Sequence, residues 1–279
     1  MIGVFDSGFG GLTVHHALVQ ALPQHDFVYL GDNRNAPYGT RPPIEVLNLT
    51  CAGLERLFAE GCTVAILACN TASVVALRWI QQHWLPDRHG RDPIRRNVLG
   101  IAVPTIEAAT GVGWNEAGNG GARKFGTIAV FATHRTVESG TYPIEIRKRA
   151  PQTNVVQQAC GELAGSIESG VPRERLRAMV QQYVGELMAR VGAAPDCVIL
   201  ACTHYPLVAD LFSEALPPAV PMIHQPQATA RALALYLERH PEYDTPHRGR
   251  RVFLSTGVSI QALPLIEKFW GETLSFQQS

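Results

Sequence analysis

Two cysteines stand at the same point of a repeated sequence pattern. Cys69 ends the apolar run "VAILAC" at 64–69, and Cys202 ends the similar run "VILAC" at 198–202. A single cysteine in apolar surroundings is most often a small buried residue. A thiol is also an acid, a base and a nucleophile, because its pKa of about 8.5 responds to nearby charges and hydrogen bonds. The repetition favours a chemical role for both thiols.

Each cysteine has one ionisable residue at the corresponding end of an apolar run. Asp6 ends the run "IGVFD" at 2–6, and His204 follows Cys202 by two residues. A carboxylate raises the pKa of a neighbouring thiol, whereas a protonated imidazole favours the thiolate. We therefore predict that Asp6 assists Cys69 and that His204 assists Cys202.

The repeat extends beyond the cysteines. "IGVFDSG" at 2–8 precedes Cys69, and "IAVFATH" at 128–134 precedes Cys202 in the same order. An internal duplication is the simplest explanation. Because open parallel sheets bind ligands at the carboxyl ends of their strands, two such halves facing each other place both thiols around one substrate.

Short β-branched runs alternate with amphipathic stretches, as in βαβ units. We predict an α/β protein of two similar domains with mainly parallel sheets, related by pseudo-two-fold symmetry, with the active site in the cleft between them. Helices are expected over 12–22 and over 74–85, the second ending at Pro86, and again after Cys202 with Pro206 at its first position. The expected strands cover 2–5, 27–30, 64–68, 98–101, 127–131, 155–157, 198–201 and 252–255.

Three kinds of loop complete this outline. The glycine-rich segment "DSGFGG" at 6–11 does not match a dinucleotide-binding turn, since Thr13 occupies the place of the last glycine. The segment "GDNRNAPYG" at 31–39 is predicted to line the cleft, with Tyr38 and Gly39 at its end. The segments 86–97 and 111–122 are predicted to be surface loops.

Composition excludes several classes of partner and cofactor. The 24 basic residues balance the 24 acidic ones, so we expect neither a nucleic acid nor a membrane partner, and a cytoplasmic protein. Six cysteines in 279 residues are too few for a disulfide scaffold, and no spacing indicates a metal site. None of the three lysines, at 124, 148 and 268, is well placed for a pyridoxal Schiff base. We predict catalysis without metal or cofactor.

These motifs together resemble the cofactor-independent aspartate/glutamate racemase family. The resemblance is carried over nearly the whole chain by four segments in the family's order: "GVFDSGFGGLTV", "PYG", "ACNTAS" and "ACTHYPL". It implies two α/β domains, here 1–97 with 209–279 and 98–208. It also implies interconversion of L- and D-glutamate, D-glutamate for peptidoglycan, and a homodimer. Departures from the family's usual residues near Cys160 and His224 bear on side-chain recognition.

The resemblance also implies roles for single residues. Cys69 and Cys202 are the acid/base thiols, assisted by Asp6 and His204, and Glu168 is a further site glutamate. The implied substrate-binding residues are Asp6, Ser7, Tyr38, Gly39, Asn70, Thr71, Thr203 and His204. Inversion at carbon needs a base on one face and an acid on the other, which two thiols supply.

Two other functions remain open at this point. The chain could be a racemase of another amino acid such as aspartate, or a two-domain protein that binds a dicarboxylate without turning it over. Exchange of the substrate's α-hydrogen for solvent deuterium separates catalysis from mere binding.

Overall fold

The computed structural model of the chain describes residues 1–90, 94–113, 125–244, 248–257 and 263–278. Two compact units are present: Met1–Ile101 with Pro226–Ser279, hereafter unit 1, and Ala102–Gln225, hereafter unit 2. Of the two expected surface loops, 91–93 and 114–122 lie outside the described residues.

Unit 1 contains a six-stranded parallel sheet with strand order β10-β9-β2-β1-β3-β4. Its strands are β1 (Ile2–Asp6), β2 (Phe27–Gly31), β3 (Val64–Leu67), β4 (Asn97–Gly100), β9 (Arg251–Ser255) and β10 (Gln277–Gln278). The helices of this unit are α1 (Leu12–Ala21), α2 (Pro43–Ala59), α3 (Asn70–Val75), α4 (Leu77–Trp79), α5 (Leu85–His89), α12 (Gln225–Arg239) and α13 (Leu263–Trp270). Strands β1, β2 and β3 are buried along their whole length, which their continuous apolar runs predict for a covered parallel sheet.

Unit 2 contains a four-stranded parallel sheet with order β6-β5-β7-β8. The strands are β5 (Thr127–Ala132), β6 (Asn154–Ala159), β7 (Cys197–Ala201) and β8 (Met222–Ile223). The helices are α6 (Ala102–Thr110), α7 (His134–Glu138), α8 (Thr141–Arg149), α9 (Leu163–Glu168), α10 (Arg173–Val191) and α11 (Ala209–Ala215). The predicted α/β class with parallel sheets is confirmed.

Both units share one strand order. The first four strands of unit 1 lie in space as β2-β1-β3-β4, and those of unit 2 as β6-β5-β7-β8, so the first strand of each set pairs with the second and the third. Their registers also correspond, because Phe5 pairs with Leu67 in unit 1 and Phe131 with Leu200 in unit 2. This is the order that a duplicated half predicts.

The chain returns from unit 2 to unit 1 later than the sequence predicts. We expected 209–279 to belong to the first domain, but the chain returns to unit 1 only at Pro226. The reason is that β8 pairs with β7, and α11 packs against α10. At the first crossing, β4 pairs with β3, which keeps residues 98–101 in unit 1. The two-residue strand β8 carries too short a pattern to be seen in the sequence.

Helical structure after Cys69 also differs from expectation. The predicted helix over 74–85 begins at Asn70 and its turns run on to His89, through a π-helical turn at Ile80–Trp84. Pro86 lies in the first turn of α5 rather than ending the helix. A proline is tolerated in a first turn, where its missing N–H has no helical partner to lose.

No helix within the described ranges combines the length and the apolar character that a membrane crossing requires.

Candidate active site

The two thiols occupy equivalent positions in their units. In unit 1, β3 is followed by Ala68 and then Cys69; in unit 2, β7 ends at Ala201 and Cys202 comes next. Each cysteine therefore lies just beyond the carboxyl end of the third strand, and each is 5% exposed. We call the residues around them the Cys69 cluster (Asp6, Ser7, Tyr38, Gly39, Cys69, Asn70 and Thr71) and the Cys202 cluster (Glu168, Cys202, Thr203 and His204).

Hydrogen bonds hold the Cys69 thiol from two sides. Its Sγ lies 3.4 Å from Ser7 Oγ and accepts the backbone N–H of Ala72 at 3.5 Å. Through the second bond Cys69 caps the first turn of α3. The strand end and the helix start thus fix the sulfur atom in place.

The surroundings of Cys69 disfavour its thiolate. Burial and, second, the charge of Asp6 raise the pKa of Cys69 to about 11, although the bonds from Ser7 and Ala72 act in the opposite direction. At neutral pH this thiol is therefore protonated. A base must take its proton before the sulfur can itself act as a base.

Asp6 is the ionisable group beside Cys69, and the backbone around it is built to receive its side chain. One carboxylate oxygen, Oδ2, accepts the N–H of Gly8 at 3.1 Å, and the residue is fully buried. At Gly11, an added Cβ would lie only 2.5 Å from Asp6 Cβ. The glycine-rich segment thus makes room for the aspartate, a role that the sequence alone did not indicate.

The loop after β2 is closed by hydrogen bonds to Asp32. The Tyr38 hydroxyl donates to Asp32 Oδ2 at 2.6 Å, and Asn35 Nδ2 donates to both carboxylate oxygens at 3.0 and 3.1 Å. Burial and the bond to Asp32 raise the pKa of Tyr38, so its hydroxyl remains protonated. Tyr38 and Gly39 are buried, as are Asn70 and Thr71 at the start of α3.

In the Cys202 cluster a histidine takes the place of the aspartate. His204 Nδ1 lies 3.8 Å from Cys202 Sγ, and the residue is buried together with Thr203. Burial lowers the pKa of His204 to about 4, so the imidazole is neutral at physiological pH. A neutral ring nitrogen can accept the thiol's proton.

Glu168 lies on the far side of the same imidazole. Its Oε2 is 3.7 Å from His204 Nε2, and its side chain, at the end of α9, is partly exposed. A carboxylate on this side favours a proton on Nε2 and leaves Nδ1 as the acceptor that faces Cys202. The residue implied by the family resemblance thus lies within the cluster.

Three of the other four cysteines lie in the packed interior of their units. Cys62, Cys160 and Cys197 are fully buried, and burial raises the pKa of Cys62 to about 12. Cys51 is half-buried on α2. All six cysteines are free thiols.

Two buried polar residues outside the named clusters, Asp32 and Gln225, were missed in the sequence. Asp32 follows β2 directly, as Asp6 ends β1, so an acidic residue at a strand end was the available signal. Gln225 lies beside the exposed His224, and its buried amide donates to Thr105 Oγ1 and to the Tyr142 hydroxyl, each at 3.0 Å. No spacing in the sequence indicates that contact.

The chain is similar to known proteins over nearly its whole length. The family model for Asp/Glu/Hydantoin racemase matches residues 2–233. A glutamate racemase of Phenylobacterium zucineum (strain HLK1) is 54% identical over 99% of both chains, and one of Caulobacter sp. (strain K31) is 52% identical over 99% of both. The crystal structure of glutamate racemase isoform RacE1 from Bacillus anthracis superposes with a TM-score of 0.82 at 28% identity, over 100% of this chain and 97% of that one. The family resemblance of the sequence is confirmed: the chain belongs to the Asp/Glu/Hydantoin racemase family and is an isomerase.

Proposed function

We propose that this chain is a glutamate racemase, which interconverts L- and D-glutamate without a cofactor and uses Cys69 and Cys202 as its two bases. The observation that carries the proposal is the equivalence of the two thiols, each placed two residues after the third-strand leucine that pairs with a phenylalanine of the first strand. The names of the relatives at 54% and 52% identity support glutamate as the substrate.

The reaction needs one proton removed and another delivered. In one direction, the Cys69 thiolate takes the α-hydrogen from one face of the substrate, and the Cys202 thiol donates its proton to the other face. In the reverse direction the roles exchange. After turnover in the first direction Cys69 is a thiol and Cys202 is a thiolate, the reverse of the starting state. Proton exchange with solvent restores the starting state.

Each cluster contains a group that can take the thiol's proton. Asp6 is electrostatically coupled to Cys69, and His204 Nδ1 faces Cys202 Sγ at 3.8 Å. The carboxylate and the neutral imidazole are both proton acceptors at pH 7. We therefore assign to Asp6 and His204 the activation of the neighbouring thiol, and to Glu168 the orientation of His204.

The remaining residues of the clusters suit an amino-acid substrate. Hydroxyl, amide and backbone groups near the thiols can bind the ammonium and carboxylate groups without placing a charge of their own beside the reacting carbon. We propose Ser7, Tyr38, Gly39, Asn70, Thr71 and Thr203 as uncharged binding residues, and we propose that Asp6 and His204 contact the substrate as well as activating the thiols.

Measurement of α-hydrogen exchange in D2O tests this function. The chain is incubated separately with L-glutamate, D-glutamate and both enantiomers of aspartate, and deuterium at the α-carbon is followed by proton NMR. We expect exchange and inversion with both glutamates and much slower reaction with the aspartates. Fast reaction of aspartate alone would identify a different racemase, and absence of exchange with all four would indicate a binding protein.

The same proposal extends to the cell. The family resemblance implies that the D-glutamate formed is used for peptidoglycan synthesis. We propose this role for the chain, together with a cytoplasmic location and a homodimer. Expression in a bacterial strain that requires external D-glutamate should restore growth, and a Cys69→Ser variant should not. Sedimentation analysis of the purified chain measures the oligomeric state.

A further inference from the structure

Thr256, the residue after β9, joins two points of the loop that follows β2. Its hydroxyl donates to Asp32 Oδ1 at 2.8 Å and accepts the backbone N–H of Arg34 at 3.0 Å. Its own N–H donates to the carbonyl of Gly31 at 3.1 Å. One side chain therefore acts as donor and acceptor at once, which valine, of nearly the same shape, cannot do.

Asp32 passes this constraint to Tyr38. The buried carboxylate that accepts the Thr256 hydroxyl on Oδ1 accepts the Tyr38 hydroxyl on Oδ2 at 2.6 Å. Charge-assisted bonds of this length are strong, and both oxygens must be correctly aimed for both bonds to form. Thr256 and Asn35 thus together orient the Asp32 carboxylate, whose other bond holds the Tyr38 hydroxyl.

Tyr38 in turn lies beside the elements that carry Cys69. Its ring centroid is 6.2 Å from that of Phe5, the penultimate residue of β1, and it belongs to the same buried cluster as Cys69. The 3-10 turn Tyr38–Thr40 packs against α3, whose first turn Cys69 caps. Hydrogen bonds and packing contacts therefore connect Thr256, through Asp32 and Tyr38, with the start of α3.

We propose that Thr256 is a positioning residue for substrate binding, which acts through Asp32 to hold Tyr38 and Gly39 in place. The inference rests on the proposed function, in which these two residues bind glutamate. It extends the site to β9, a strand that the chain contributes after its return to unit 1.

Substitution of Thr256 by valine and by serine separates the hydroxyl from the methyl group. We expect Thr256→Val to raise the KM for glutamate about tenfold with kcat changed by less than about twofold, because a loosened binding pair weakens ground-state and transition-state binding together. Thr256→Ser keeps both hydrogen bonds, so its KM should stay within about twofold of the unchanged chain. Amide hydrogen exchange over residues 31–41 should become faster in the valine variant and not in the serine variant.

A matched control and a second variant complete the test. Thr50→Val removes another buried hydroxyl of unit 1, which bonds to Val46 O at 2.6 Å, and should leave KM unchanged. Asp32→Asn weakens the acceptor with little change of shape, so its KM should also rise, and the double variant should be little worse than the worse single one. An unchanged KM in Thr256→Val, an equal loss in Thr256→Ser, or multiplicative effects in the double variant would each overturn the inference. Failure of the unchanged chain to turn over glutamate would instead overturn the proposed function.

Discussion

Asp6 and Ala132 occupy the same register position at the ends of corresponding strands in the two units. Ala132 pairs with Ala201, one residue before Cys202, and Asp6 follows Phe5, whose partner Leu67 lies two residues before Cys69. The carboxylate of unit 1 thus has no counterpart at this position in unit 2. There the ionisable group comes from His204, two residues after its cysteine, where unit 1 has Thr71. The two thiols are equivalent in position and differ in the ionisable group that lies beside them.

Substitution of Asp6 tests whether its carboxylate both raises the pKa of Cys69 and accepts the proton of that thiol. In Asp6→Asn the negative charge that raises the pKa of Cys69 is lost, so the midpoint of Cys69 alkylation by iodoacetamide should move about one unit to lower pH. Racemisation should nevertheless fall about 10²-fold, because the acceptor for the thiol's proton is lost as well. Peptide mass spectrometry across a pH series measures the first effect.

A second buried aspartate of unit 1 provides the control. Asp26 lies at the opposite ends of the strands, where its Oδ1 accepts the N–H of Arg250 at 2.7 Å. Asp26→Asn should leave the alkylation midpoint of Cys69 unchanged. A midpoint that moves upward in Asp6→Asn would contradict the assignment of Asp6.

Substitution of Gly11 tests whether this glycine provides the space that the Asp6 side chain occupies. In Gly11→Ala the new Cβ meets Asp6 Cβ at 2.5 Å and Asp6 Cγ at 2.8 Å, so the carboxylate must move. We expect a loss of about 1–3 kcal/mol of unfolding free energy from overpacking, together with a fall in kcat. Urea unfolding gives the first value.

Gly185→Ala is the matched comparison, since an added Cβ in the interior of α10 meets nothing within 4 Å. That change should stabilise the chain by up to about 1 kcal/mol with activity retained. Equal stability of the two alanine variants would show that Gly11 does not provide the proposed space.

The burial of His15 predicts that the free energy of unfolding falls in acid. Its ring is fully buried among those of Phe27, Tyr29, Phe253 and Trp270, at centroid distances of 5.1 to 5.5 Å, and among the described residues neither ring nitrogen has a hydrogen-bond partner. Burial and, to a lesser extent, the charge of Arg251 lower the pKa of His15 to about 3. The unfolded chain therefore binds a proton at this residue before the folded chain does. The contribution of His15 to the free energy of unfolding is fully present above about pH 6.5. It falls as the pH drops from there towards 3, by about 1.4 kcal/mol per pH unit.

The variant His15→Phe should remove this part of the acid sensitivity, because phenylalanine takes no proton. Urea unfolding between pH 7 and pH 4 measures the slope of stability against pH in both proteins. His16→Phe, at the neighbouring position of α1, serves as control and should keep the slope of the unchanged chain. Identical slopes in all three proteins would show that His15 titrates normally in the fold.

The sequence predicted most of the elements that carry the clusters, because their signals are local. The strands ending at Asp6 and before the two cysteines are continuous apolar runs, and the repeated cysteine indicated the candidate site in each unit. Bonds between distant segments have no such signal. The Thr256 hydroxyl reaches Asp32 across 224 positions of the chain, and the rings that surround His15 of α1 come from β2, β9 and α13. The prediction at Pro86 was wrong for the opposite reason. The local rule that a proline ends a helix does not hold here, where a π-helical turn comes directly before α5.

The most direct test of the two-base proposal is α-hydrogen exchange in D2O by the Cys69→Ser and Cys202→Ser variants. A hydroxyl is a far weaker base than a thiolate, so each variant should lose racemisation by about 10³-fold. The remaining thiol can still remove the α-hydrogen that faces it and return deuterium to the same face. We therefore predict exchange without inversion for one glutamate enantiomer in one variant and for the other enantiomer in the second, while Cys51→Ser behaves as the unchanged chain. Nearly full racemisation in either variant, or exchange of the same enantiomer by both, would contradict the account.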